Sequence, residues 1–211
     1  MPHYRKKNLL FIHIPKTGGT VIENEIKKLY NESLYSGRTN NLLESPYNKI
    51  SLQHQFYTTL YKFKNKLNIN FDNIKIFSVV RNPYDRIISD LFYKKLIKKN
   101  FTSNQVYNTI KNNYLHRNDL DNHNKPQYEF ITNEKFKLIK NIKIFKTETL
   151  NESNDKLNNF LGFDINIRIY GKNNIWKGVN KDYSKYLNKD SISIINFFYK
   201  KDFELFNYKL K

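Results

Sequence analysis

Asn8-Leu9-Leu10-Phe11-Ile12-His13-Ile14-Pro15-Lys16-Thr17-Gly18-Gly19-Thr20 is an apolar run of strand length that breaks at Pro15 into a lysine, two glycines and hydroxyl side chains. Helical spacing follows in Val21, Ile22, Ile26 and Leu29. A strand that opens through a glycine turn into a helix leaves unpaired backbone N–H groups at the helix N-terminus, a geometry that favours an anion. Gly18 and Gly19 let a ligand approach the backbone, and Lys16 adds a mobile positive charge. The order is not that of a Walker A loop, where the lysine follows the glycines; here Lys16 precedes them.

A second interior strand is expected over Ile74 to Val80, where Ile74, Ile76, Phe77, Val79 and Val80 leave little polar surface, as in a parallel strand covered on both faces. It runs into Arg81-Asn82-Pro83-Tyr84-Asp85-Arg86, with Pro83 suited to a first helical turn and Ile87, Ile88, Leu91, Phe92 and Leu96 forming the stripe beyond it. Lys49 to Gln53 reads as a short strand ending at His54, followed by a helix through Tyr57, Leu60, Tyr61 and Phe63. Further on, Ser103 is the expected cap of a helix to about Leu115, and Ile142 to Phe145 the next strand. A helix over Leu150 to Leu161 should stop at Gly162, and Asp190 should cap the last one. Met1 to Lys7 reads as a basic lead-in, and 31–48 and 164–180 as irregular. Strands alternating with helices predict an α/β fold with a central, mainly parallel sheet flanked by helices in three layers. Ligands then sit beyond the carboxyl ends of the strands. Lys16, His54 and Arg81 each fall at such an end in this reading.

The 211 residues fit one domain, 1–211, with a full core. Sixteen Tyr and sixteen Phe supply the bulk that scarce Ala and Met do not. A formal net charge of +18 favours an anionic partner, although an Asn-, Lys- and Ile-heavy composition could produce part of that charge without function. The absence of cysteine excludes disulfides and thiolate metal sites and gives no sign of secretion. Leu9 to Ile14 is too short for a signal-type apolar region, and no run approaches the roughly 18 apolar residues of a membrane span. A soluble, cytoplasmic protein is expected.

Two of these segments carry a family resemblance. Ile14-Pro15-Lys16-Thr17-Gly18-Gly19-Thr20 resembles the 5′-phosphosulfate loop of sulfotransferases, and Arg81-Asn82-Pro83-Tyr84-Asp85-Arg86 with Ser89 resembles their 3′-phosphate motif. His123-Asn124-Lys125-Pro126-Gln127 and the ending Tyr199 to Tyr208 are similar to segments of the carbohydrate O-sulfotransferases of heparan and chondroitin type. The matches run from 11 to 208 in order. With no cysteine and no anchor-length apolar run in these 211 residues, a compact soluble relative of the animal enzymes is expected.

The resemblance implies a P-loop nucleotide-hydrolase-like sulfotransferase fold and a donor, 3′-phosphoadenosine 5′-phosphosulfate (PAPS), that leaves as adenosine 3′,5′-bisphosphate (PAP). It implies a free hydroxyl as acceptor, first of all on a carbohydrate, with no specific nucleic-acid partner. Lys16 is then the charge on the bridging oxygen, and Thr17, Gly18, Gly19 and Thr20 hold the 5′-phosphate. Arg81 offers a planar fork to the 3′-phosphate, joined by Ser89 eight residues on. No convincing magnesium or zinc ligand set is visible, so no metal is expected. His54 is the candidate general base; His123 and Glu148 are the acceptor-contact or second-base candidates. His13 reads as a satisfied core histidine, and Arg86 with Asp90 as an i,i+4 ion pair. Within 171–181, Asn174, Lys177 and Lys181 are possible donor contacts, and Trp176 either stacks on adenine or packs the loop. Two other readings stay open: a P-loop kinase-like nucleotide enzyme, and a nonenzymatic basic module that binds polyanions.

Overall fold

A computed structural model describes residues 2–31, 41–167 and 183–211; the segment 171–181 with its possible nucleotide contacts lies outside them. The chain divides into two compact units, one of 1–80 with 127–169 and one of 81–126 with 170–211.

The first unit carries the sheet: β1 (His3–Tyr4), β2 (Leu9–Ile12), β3 (Lys75–Val80) and β4 (Ile142–Lys146), in that spatial order. β2, β3 and β4 are parallel, and β1 is antiparallel to β2. The short β1 lies within the expected basic lead-in, where buried His3 and Tyr4 pair with Leu10 and Leu9. All four residues of β2 are buried, and a strand on each side pairs its backbone. Phe11 pairs with Phe77 across β2 and β3, and the two rings stack 4.6 Å apart. Phe160 of α6 (Asn154–Leu161) meets Phe77 at 6.0 Å and Phe145 of β4 at 6.3 Å. Burying one such ring contributes about 1.5–3 kcal/mol, so an aromatic stripe can do here what aliphatic residues do elsewhere. The α/β class and the parallel sheet are as the sequence leads one to expect.

The expected strand over Lys49 to Gln53 does not form. Tyr47–Lys49 and Leu52–His54 are 3₁₀ turns. The Gln55 side-chain amide donates to the carbonyls of Tyr47 and Ile50, both at 2.9 Å, and so occupies acceptors that a strand would offer to a neighbour. His54 therefore ends a turn, not a strand. α2 (Tyr57–Lys62) follows it, α1 (Gly19–Tyr30) follows β2, and the single turn α5 (Gln127–Phe130) precedes β4. α6 begins at Asn154, later than Leu150, and stops at Gly162 in the left-handed region (φ 80°), as expected.

The second unit is helical: α3 (Pro83–Tyr93), α4 (Ser103–Asn113), α7 (Lys189–Phe198) and α8 (Lys200–Leu205), around a core that includes Tyr84, Leu91, Ile110, Tyr114, Ile195 and Phe203. Local chemistry sets their starts. The Asn82 side chain accepts from Tyr84 N at 3.0 Å and Pro83 opens α3. Thr102, not Ser103, caps α4 in a reciprocal box with Gln105. Asn188, not Asp190, caps α7 by accepting from Ser191 N at 2.8 Å. No described helix is long and apolar enough to cross a membrane.

Candidate active site

The turn after β2 is held in an unusual backbone. Lys16 has φ 66° and Gly18, the N-cap of α1, has φ 87°. The left-handed region costs a non-glycine residue about 1–2 kcal/mol, so surrounding structure must maintain Lys16 there. Thr17, fully buried, donates its hydroxyl to Ile14 O at 2.8 Å. That proton is spent inside the turn, which leaves the Thr17 main chain as the part to face a ligand. Thr147, just past β4, donates its buried hydroxyl to Thr17 O at 2.7 Å, with Val80 O a second acceptor at 3.1 Å. One side chain thus ties the turn to the ends of β3 and β4. Thr20 is exposed on the first turn of α1, and Glu148, next to Thr147, is exposed.

The two glycines do different work. Gly18 supplies the left-handed cap. Gly19 has an ordinary φ, but a Cβ on it would lie 2.6 Å from His13 Cδ2 and Nε2 and 2.9 Å from Phe11 Cζ. The imidazole fills the space that a side chain would need. Gly19→Ala is expected to lower stability by about 1–3 kcal/mol, read as a lower urea midpoint at unchanged slope; an unshifted midpoint would mean that His13 is free to move aside.

His13 is the satisfied, buried histidine expected, with Nδ1 2.5 Å from Glu23 Oε1 and its ring stacked on Phe11. It also meets the His54 ring edge-on at 5.5 Å. His54 is buried, with Nδ1 3.2 Å from Ser51 Oγ and Nε2 3.2 Å from Gln53 Nε2. A donor amide on Nε2 puts the ring proton on Nδ1 and the basic lone pair on Nε2. The first unit therefore brings together the Lys16 turn, His13 with Glu23, and His54.

In the second unit Arg81 follows directly on the last residue of β3, its guanidinium carbon 5.9 Å above the Tyr183 ring. Ser89 is half-buried on α3, and the residue after it, Asp90, is fully buried. Asp90 accepts from Tyr114 OH at 2.7 Å and from His123 Nδ1 at 2.6 Å. Burial works against the Asp90 charge, but the bonds from His123 and Tyr114 and the nearby Arg86 hold its carboxyl below the usual range. Burial pushes the His123 imidazole below its ordinary value, outweighing the opposite pull of Asp90. A neutral imidazole facing a carboxylate carries its proton on Nδ1, so its lone pair is on Nε2. Arg86 donates to His123 O at 2.8 Å and Lys125 O at 2.9 Å, and its charge acts on Asp90 from that position. The two N–H donors of the Asn124 amide are shared among the carbonyls of Tyr114, Leu115 and Arg117, each 2.9 Å away. The segment 123–125 is thereby fixed to α3 and to the end of α4.

A family model described as the sulfotransferase family matches residues 4–209, nearly the whole chain and parts of both units. The chain belongs to the sulfotransferase family. No curated protein and no solved structure matches it.

For a sulfotransferase the parallel register matters most. Leu9 to Ile12 pair with Lys75 to Ser78 and run in the same direction, so the Lys16 turn and Arg81 leave neighbouring strands at their carboxyl ends. Thr147 leaves β4 at the same edge. The sequence reading missed Thr147, Glu23 and the Asp90–His123 pairing. The first two have no local pattern that marks them. Asp90 was visible, but its i,i+4 spacing pointed to Arg86 instead.

Proposed function

We propose that this sulfotransferase moves a sulfuryl group from PAPS to a carbohydrate hydroxyl, and that 1–211 acts as one catalytic domain. The left-handed Lys16 and Gly18 at the mouth of α1 carry the reading, because a backbone kept in that costly conformation turns main-chain N–H groups outward to an anion. The N–H groups of Thr17 to Thr20 then hold the 5′-phosphate, with the Thr20 hydroxyl beside them. Arg81 and Ser89 hold the 3′-phosphate, which ATP lacks.

In the reaction the acceptor oxygen attacks sulfur as the bond from sulfur to the 5′-phosphate oxygen breaks. The charge that grows on that phosphate oxygen is met by Lys16, and PAP leaves. The acceptor proton passes to His54 Nε2, after the Gln53 amide gives up that lone pair to the incoming hydroxyl. His123 and Glu148 are the second candidates for contact with the acceptor. Charge on a phosphate leaving group can be met by a lysine and main-chain donors, so the proposed chemistry calls for no metal.

A thermal shift tests the donor. PAP should raise the midpoint and ATP with magnesium should not; at a ligand concentration of 100 times Kd the gain is about 2.7 kcal/mol. A rise with ATP and magnesium alone would favour a kinase-like enzyme.

A further inference from the structure

The first unit contains a cleft of about 380 Å³ away from the turn residues, lined by aromatic rings of Tyr47, Phe56 and Phe136 and by charged Lys62, Glu129 and Glu134. That size falls in the range of small-molecule sites, about 300–1,000 Å³. Its most unusual member is Phe136. Among the described residues, only Lys16, Lys95 and Phe136 have positive φ without being Gly, Asn or Asp, and Phe136 (φ 55°) is the one aromatic. A bulky ring there is a genuine outlier. The ring is also 59% exposed, so no core burial offsets the cost.

A purpose-built turn keeps it there. Asn133 Oδ1 accepts from Lys135 N at 3.0 Å and Lys137 N at 3.1 Å, and Asn133 O accepts from Phe136 N at 2.9 Å. A bridge between Thr132 and Leu138 closes the base. Tyr128 supports the ring from one side, edge-on at 6.1 Å. Strain that the surroundings maintain at an exposed aromatic points to a ligand contact.

The charges in the cleft identify the ligand class. The chain as a whole is at +18, yet the lining of this cleft has two carboxylates and one ammonium, and that ammonium is engaged by Tyr47: Lys62 Nζ bonds Tyr47 OH at 3.1 Å and lies 4.7 Å above its ring. Within the lining itself a sulfate or carboxylate group would meet two carboxylates against one ammonium. An uncharged ligand with C–H faces and many hydroxyl donors would meet aromatic platforms and acceptor oxygens. Phe56 lies two residues past His54, the proposed base, so the cleft borders the same stretch of chain.

We propose that this cleft is an acceptor subsite for a neutral oligosaccharide, with Phe136 as a stacking platform and Glu129 and Glu134 accepting from sugar hydroxyls. The idea rests on the carbohydrate reading above and narrows it to uncharged chains. The test is titration calorimetry on the full chain with neutral tetrasaccharides of glucose, galactose, mannose and N-acetylglucosamine, and with a sulfated tetrasaccharide. PAP is titrated into the same samples. At least one neutral sugar should bind, more tightly than the sulfated one. Phe136→Asn, which suits a left-handed backbone, should weaken that binding roughly tenfold while leaving thermal stability equal or higher, and PAP binding unchanged. The subsite is overturned if no neutral sugar binds, if the sulfated sugar binds better, or if Phe136→Asn binds as wild type. Loss of PAP binding in the wild type would sink the donor reading instead, and would leave a sugar-binding cleft standing.

Discussion

Lys16→Ala is expected to lower turnover by roughly 10²–10³-fold, the range found when one preorganised charge partner is removed from a transition state. The fold should survive it. Alanine dislikes the left-handed region about as much as lysine does, so the backbone cost at φ 66° is unchanged. The hydroxyls of Thr17 and Thr147 hold the turn without the lysine side chain. Lys16→Gly is the matched control: it removes the same charge and relieves the strain, so it should be equally inactive and at least as stable as Lys16→Ala. Rate measurements at saturating donor beside thermal midpoints check both. Near-normal turnover in either variant would take Lys16 out of the mechanism.

Asp90→Ala is expected to cost about 3–5 kcal/mol, the range for removing one member of a buried, hydrogen-bonded charge network. It would leave the Tyr114 hydroxyl and His123 Nδ1 without their carboxylate partner, and the segment 123–125 would keep only the Arg86 bonds to α3. The pH dependence has a definite sign. Both folded-state values are depressed, Asp90 by its bonds and Arg86 against its burial, His123 by burial. A depressed group contributes stability above its unfolded value and loses it as pH falls through the folded one. The His123 part should therefore begin to fade below about pH 6.5 and the Asp90 part below about pH 4. Urea titrations from pH 8 to pH 3 should show stability falling in that order. In His123→Gln the first phase should vanish, and its persistence there would assign it to another group.

Periodicity and turn chemistry were enough to read much of this protein. Leu9 to Ile12, and Ile76, Phe77, Val79 and Val80 of β3, put apolar side chains on both faces of their strands, as strands covered on both faces do. Pro83 at the start of α3 and Gly162 past the end of α6 act through their own φ preferences, so they are legible one residue at a time. Where several polar residues compete for one job, the sequence is ambiguous. Thr102 displaced Ser103 as a cap because Gln105 could reciprocate, and Gln55 turned the expected second strand into two 3₁₀ turns by taking its carbonyls.

By itself the sequence determined the α/β class and membership of a family whose model spans 4–209, and it supplied the two motifs proposed to hold the donor. Those properties follow from neighbours along the chain, which spacing records. The tertiary structure alone decided that Thr147 anchors the Lys16 turn from 130 residues away. It also put the His13 ring where Gly19 must have no side chain, and gave Asp90 to His123. Each of these depends on which atoms are left facing one another once the sheet and helices have packed. Spacing along a chain carries no record of that.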